Sequence, residues 1–140
     1  VTYLINEKEC FQKGLLRKTS PQLDLAKKDL KQAEFFLKEA EELLDLKKKH
    51  IAALSLYNAF FHAARSLLFK DGIKERSHYC IARYLENHYN LNKFIDSFET
   101  IMSLRHNVQY STEKVDIDED LTMFINICNR FIEEAEKLLK

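Results

Sequence analysis

Glycine and proline are nearly absent, with 2 Gly and 1 Pro in 140 residues. A sandwich, a barrel or a doubly wound fold needs a turn roughly every ten residues and draws on both residues to make it. Those folds are excluded, and a helical domain with few, short connections remains. Phosphate-cradling loops are excluded as well, because the chain holds no P-loop, no GxGxxG and no GxSxG. Cysteine is scarce. Cys10, Cys80 and Cys128 are odd in number and lack CxxC spacing, which fits neither a disulfide framework nor a zinc site and predicts a reducing, intracellular compartment. No apolar run reaches the roughly 18 residues of a membrane span, and no basic-then-apolar leader opens the chain. A soluble, cytoplasmic protein without membrane association is expected, and Val1 in place of Met suggests processing or a trimmed chain. An excess of either charge is missing too, since Lys+Arg and Asp+Glu are both 22. Zero net charge argues against holding long nucleic acid by bulk charge but leaves room for a local basic cleft.

What is present is helical periodicity. At 16.6 kDa the chain is one domain long, and surface scaling lets it bury about two-thirds of its extended surface without a staple. Asn6 followed by Glu9 has capping-box spacing and predicts a short helix through Phe11 and Leu15 to about Arg17. Ser20-Pro21 predicts the next start, with Ser as N-cap and Pro at the first helical position. Leu23, Ala26, Leu30, Ala33, Leu37, Ala40 and Leu44 then recur at steps of 3 and 4, an amphipathic helix to about Lys47. The basic run Lys47-Lys48-Lys49-His50 reads as the favourable positive end of that helix. The third helix, from about His50 to Asp71 before Gly72, is apolar on most of its circumference, which predicts a central position or cover from a second subunit. Ser77 leads into a helix with His78, Ile81, Ala82, Leu85 and Tyr89 on one face. A fifth helix starts near Asn92, a polar loop spans Ser111 to about Asp118, and a last helix carries Leu121, Phe124, Cys128, Phe131, Ala135 and Leu138. The fold class is all-α, an antiparallel up-and-down four-helix bundle with one or two short additional helices, in a single domain over 1–140 whose residues 1–19 form a short-helix extension.

Two features break the apolar pattern. The fifth helix runs Phe94, Phe98, Ile101, then Arg105, then Val108, so Arg105 occupies an inward position. An arginine there must meet a carboxylate, line a cleft or reach water near the helix end. In the third helix Ser55, Asn58, His62 and Arg65 form a narrow polar stripe, either a solvent edge or the lining of a cleft or dimer seam. Clustering polar groups is cheaper than burying them separately, so Arg105 is expected beside Asn58, His62 and Arg65. His50, His78 and His88 have no HxxxH or HExxH partner, so no metal site is predicted, and no cofactor motif is present.

The stretch Ala59-Phe60-Phe61-His62-Ala63-Ala64-Arg65-Ser66-Leu67-Leu68, then Asp71-Gly72-Ile73, Ser77-His78 and the late Arg105-His106, resembles the HEPN family of small helical domains over about residues 10–140. In catalytic members the signature is Arg, a polar residue, three more residues and His. The resemblance implies metal-independent RNA cleavage at a dimer cleft, with Arg holding phosphate and His moving protons. Arg105 and His106 match the first two positions, and Tyr110 stands where the family has His. A tyrosine with an ordinary pKa near 10 is a poor general base at neutral pH. Some members carry a modifiable Tyr two residues further on, where this chain has Thr112. The expected function is therefore a homodimeric module that binds a nucleotide or RNA phosphate around Arg105, Asn58, His62 and Arg65. It would act with a nucleotidyltransferase-type partner in a toxin–antitoxin-like system, without catalysis. The alternatives are a ribonuclease using Arg105 with His106, Tyr110 or His62, and a purely structural helical protein.

Overall fold

A computed structural model describes residues 5–140; Val1 and the first residues of the predicted extension lie outside the described residues. Asn6 does open a helix by a reciprocal capping box with Glu9, but α1 is short, Glu7–Gln12. The predicted continuation to Arg17 is replaced by a strand. Gly14 takes φ +71°, which ends the helical turn, and β1 (Leu16–Lys18) pairs antiparallel with β2 (Ile73–Glu75), Leu16 opposite Glu75 and Lys18 opposite Ile73.

The second helix, α2, spans Leu23–Asp45, with Gln22 rather than Ser20 at the N-cap position and no side-chain capping hydrogen bond. The reason is tertiary. Thr19 N–H donates to Gly72 C=O at 2.7 Å and Gln22 N–H to Phe69 C=O at 2.8 Å, so residues 19–22 stay extended along the end of α3 (Lys49–Asp71). Gly72 closes α3 with φ +74°, as its position predicts. The basic run does not sit at one helix end. Lys47 turns the chain with φ +61°, and Lys49 and His50 begin α3, where positive charge opposes the macrodipole. Its exposure in the turn, with His50 Nε2 against Val115 C=O at 2.5 Å, is what makes it tolerable.

Ser77 caps α4 (His78–His88) by accepting from Cys80 N–H, α5 runs Asn92–Tyr110, and Asp120 caps α6 (Leu121–Leu138) by accepting from Met123 N–H. Residues 111–120 form the predicted loop. The described residues thus make an all-α domain, four long helices with two short ones and one two-stranded ribbon. In it α3 is central, packed most extensively on α2 and also against α5, α6, α4 and β2. That cover answers its all-round apolarity inside one chain, so the inference of a second subunit from α3 alone loses its basis. Phe60, Phe98 and Phe131 are fully buried and meet with centroids 6.3 Å and 6.2 Å apart; each contributes about 1.5–3 kcal/mol by leaving water.

The cysteine expectation is corrected as well. Cys10 and Cys80 form a disulfide between α1 and α4, while Cys128 is free and buried. Odd number and missing CxxC spacing say nothing about a pairing across 70 residues, and the cysteine argument for a reducing compartment falls with it. Among the described residues no helix is long and apolar enough to cross a membrane, and no group of acidic, His or Cys side chains can hold a metal ion.

Candidate functional site

The polar stripe of α3 splits into three parts. Ser55 is buried and donates to Phe36 C=O at 2.8 Å, tying α3 to α2. His62 and Arg65 converge on Asp29 of α2, which is only 4% exposed. Arg65 Nε donates to Asp29 Oδ2 at 2.8 Å and Nη2 to Oδ1 at 2.9 Å, while His62 Nδ1 lies 2.6 Å from Oδ1. Burial pushes the Asp29 carboxyl up, but the hydrogen bonds and charges of Arg65 and His62 outweigh it and hold the group below its ordinary value. An ionised Asp29 only accepts, so His62 donates from Nδ1 and its Nε2 is left as the free edge. The ring is stacked on Phe36 with centroids 5.3 Å apart. Asp29 was missed from sequence although it stands three residues after Ala26 and four before Ala33, an inward position by spacing.

Asn58 belongs to a different place. Together with Leu54 and Tyr57 of α3, His78 of α4, and Arg105 and Gln109 of α5, it lines a pocket of about 320 Å³. Arg105 and Asn58 are thus brought together as expected, whereas His62 and Arg65 are not among the lining residues. Arg105 is half-buried. Its guanidinium carbon lies 4.2 Å from the Tyr57 ring centroid, a cation–π contact. Its Nη1 donates to Gln109 Oε1 at 3.3 Å, and its Nε is buried without a partner. No carboxylate lies within ion-pair distance of it among the described residues, so the reading of Arg105 as a paired core cation is not met.

Tyr57 and His78 were not expected here. The Tyr57 hydroxyl is hydrogen-bonded to His78 Nδ1. Burial pushes the Tyr57 phenol up to about 12, against the opposing pull of Arg105. Burial also pushes His78 down to about 4, helped by the positive charges of Arg105, Arg65 and His62. The Tyr57 side chain is buried and its hydroxyl has no other acceptor among the described residues, so the phenol donates to Nδ1, and the hydrogen of the neutral His78 ring is assigned to Nε2. Periodicity assigns Tyr57 to the apolar face of α3 and finds no metal partner for His78. Only the packing of three helices puts them beside Arg105.

His106 and Tyr110 lie outside the pocket lining. Both are exposed, their rings 5.0 Å apart at the end of α5. A larger cavity, about 650 Å³, opens on the far side between α1, α4 and the end of α3. Its carboxylates are already satisfied, Glu7 by Asn87 and His88 and Asp71 by Tyr84 and Tyr89, and its lysines, Lys8 and Lys18, are exposed to solvent, so the half-buried cation without a carboxylate is at Arg105.

No curated protein and no solved structure shows a significant match to the chain. The model of the HEPN domain matches residues 26–138, from the first turns of α2 to the last residue of α6. Asp29, the α3 stripe, His78 and Arg105 fall inside that span, and α1 and β1 fall outside it. The match covers the helical bundle that holds these residues, and the chain belongs to the HEPN domain family.

Proposed function

We propose that the Arg105 pocket holds the phosphate of a nucleotide or of RNA, and that the protein is a binding module that does not cleave RNA. Family membership gives the coarser statement, a nucleotide- or RNA-related helical module. The observation that carries the finer one is the state of Arg105, a half-buried cation held over Tyr57 whose hydrogen-bond partner is a neutral amide rather than a carboxylate. A guanidinium left unneutralised in a polar pocket is matched by a bidentate anion, and phosphate is the anion its fork fits. The absence of catalysis follows from the motif. Tyr110 takes the place of the histidine and is 62% exposed at the end of α5, outside the pocket lining.

In this reading the protein works as a homodimer beside a nucleotidyltransferase-type partner, in a toxin–antitoxin-like pair. Support for a dimer comes from exposed apolar side chains next to the pocket in sequence, Ile51 three residues before Leu54 and Tyr110 directly after Gln109, exposed by 53% and 62%. Light scattering of the purified chain should give twice the 16.6 kDa of one chain.

The test is titration of a labelled single-stranded RNA and of a labelled nucleotide by fluorescence anisotropy, with a parallel cleavage assay in chelator. Arg105→Ala should weaken binding by about ten-fold or more, the worth of a charge-assisted hydrogen bond, and Tyr110→Phe should change it by less than about two-fold. Metal-independent cleavage by the unaltered protein, lost in Tyr110→Phe or His106→Ala, would replace this reading with a ribonuclease.

A further inference from the structure

The Arg105 pocket contains an imidazole, His78, that lies outside the Arg-to-His catalytic signature. His78 opens α4 and is held from three directions: its ring lies 4.2 Å from Phe61 and 5.7 Å from Tyr57 by centroids, and its Nδ1 accepts from the Tyr57 hydroxyl. The remaining Nε2–H has no acceptor among the described residues. Burial and the cations Arg105, Arg65 and His62 keep the ring neutral at physiological pH, so the proton stays on the ring as a hydrogen-bond donor. The pocket therefore presents two donors of different kind, a charged fork and a fixed neutral N–H, beside the Asn58 and Gln109 amides.

We propose that His78 is the second phosphate contact of this pocket, and that the pocket takes a terminal phosphate monoester, as on a mononucleotide or an RNA end, in preference to an internal phosphodiester. This rests on the phosphate-binding reading above. A diester has two non-bridging oxygens, and the Arg105 fork uses both. A monoester has a third terminal oxygen for the Nε2–H, and with a second ionisation near pH 6 it carries close to two charges at pH 7.5. A diester also has to lead chain in and out on both sides of the phosphate. A pocket of about 320 Å³ is at the small end of ligand sites and suits one terminal group.

The experiment is calorimetric titration at pH 7.5 and low salt with five probes: adenosine 5′-monophosphate, its methyl diester, adenosine, and one RNA tetramer with and without a 5′-phosphate. Each monoester should bind at least about ten-fold tighter than its matched diester or 5′-hydroxyl form, the worth of one hydrogen bond to a charged group. A tighter tetramer marks the RNA end as the source and a tighter mononucleotide marks the free nucleotide, and both support the proposal. His78→Ala should remove the preference while leaving diester binding in place. His78→Gln keeps an N–H donor near Nε2 and should restore it, which a merely structural role would not require; circular dichroism verifies the fold of each variant. Equal binding of monoester and diester by the unaltered protein overturns the inference and leaves phosphate binding standing. A preference that survives His78→Ala overturns the role of His78. If no phosphate probe binds, both readings fall together.

Discussion

Two glycines with nearly the same backbone angle should respond very differently to alanine. Gly14 and Gly72 have φ of +71° and +74°, so each pays the left-handed penalty when a Cβ is added. That penalty is about 1–2 kcal/mol, reduced by roughly 0.4–1 kcal/mol because alanine also stiffens the unfolded chain, and leaves about 1 kcal/mol net. A Cβ on Gly14 meets nothing within 4 Å, whereas on Gly72 it would sit 2.5 Å from Thr19 O and 2.8 Å from Pro21 N. Both of those atoms are backbone and cannot rotate aside. Relief requires moving residues 19–22 off the end of α3, which breaks the Thr19–Gly72 and Gln22–Phe69 hydrogen bonds at about 1 kcal/mol each. Gly72→Ala should therefore cost about 3 kcal/mol and Gly14→Ala about 1 kcal/mol. With an unfolding entropy of about 0.3 kcal/mol per degree for this length, the melting temperature should fall by about 10 °C in the first and about 3 °C in the second. Thermal and urea unfolding followed by circular dichroism measures both. Equal destabilisation of the two variants would refute the close packing of the Thr19–Pro21 segment on Gly72.

Asp29→Asn should destabilise by about 3 kcal/mol, because it leaves Arg65 and His62 of α3 facing a neutral amide in a mostly buried site; a loss of unfolding free energy below about 1 kcal/mol in urea would show that Glu75, 4.0 Å from Arg65, takes over the pairing. Two groups give pH dependence in separate windows. Where the folded pKa of His78 is held near 4 against about 6.5 unfolded, the unfolded chain binds more protons, so stability should decline as pH falls from about 6.5 to about 4, and His78→Gln should flatten that slope. Asp29 has a lowered folded pKa, so its contribution is present above the ordinary carboxyl value near 4 and is lost only at lower pH, as it falls through the folded pKa. Thiol titration in denaturant without reductant should count one cysteine, Cys128, and a count of three would remove the Cys10–Cys80 bond. Reducing that bond reopens a loop of 70 residues and should cost about 4 kcal/mol by the chain-entropy relation.

The helices that make the bundle were legible because each advertises itself locally. The 3/4 seam of α2, the apolar run of α3 ended by Gly72, and the cap at Ser77 are written in contiguous residues, and steric and burial rules act on them at short range. Family membership was legible for the same reason, since the alanine-rich α3, the Gly turn and Arg105-His106 come in order along the chain. What failed were features decided across distance. Ser20-Pro21 has the chemistry of a helix start, but a hydrogen bond to Gly72, more than fifty residues on, keeps it extended. Leu15 and Leu16 fit a helix face until Gly14 ends the turn and β2 supplies a partner.

The site divides along the same line. Sequence alone placed Arg105 inward and Asn58 on a polar stripe, because a charge on an apolar face is visible wherever the period is visible. It could not choose a partner for that charge, since a period gives the face a residue occupies and not what stands opposite. Packing of α2 on α3 gave Asp29 to Arg65 and His62 and took those two out of the pocket. Packing of α4 and α5 on α3 left Arg105 over Tyr57, with no carboxylate and with His78 alongside. The charge was fixed by the one-dimensional pattern; its neutralisation was decided by which helices came to lie within a few ångströms of each other, a contact between residues far apart in the chain that local periodicity does not encode.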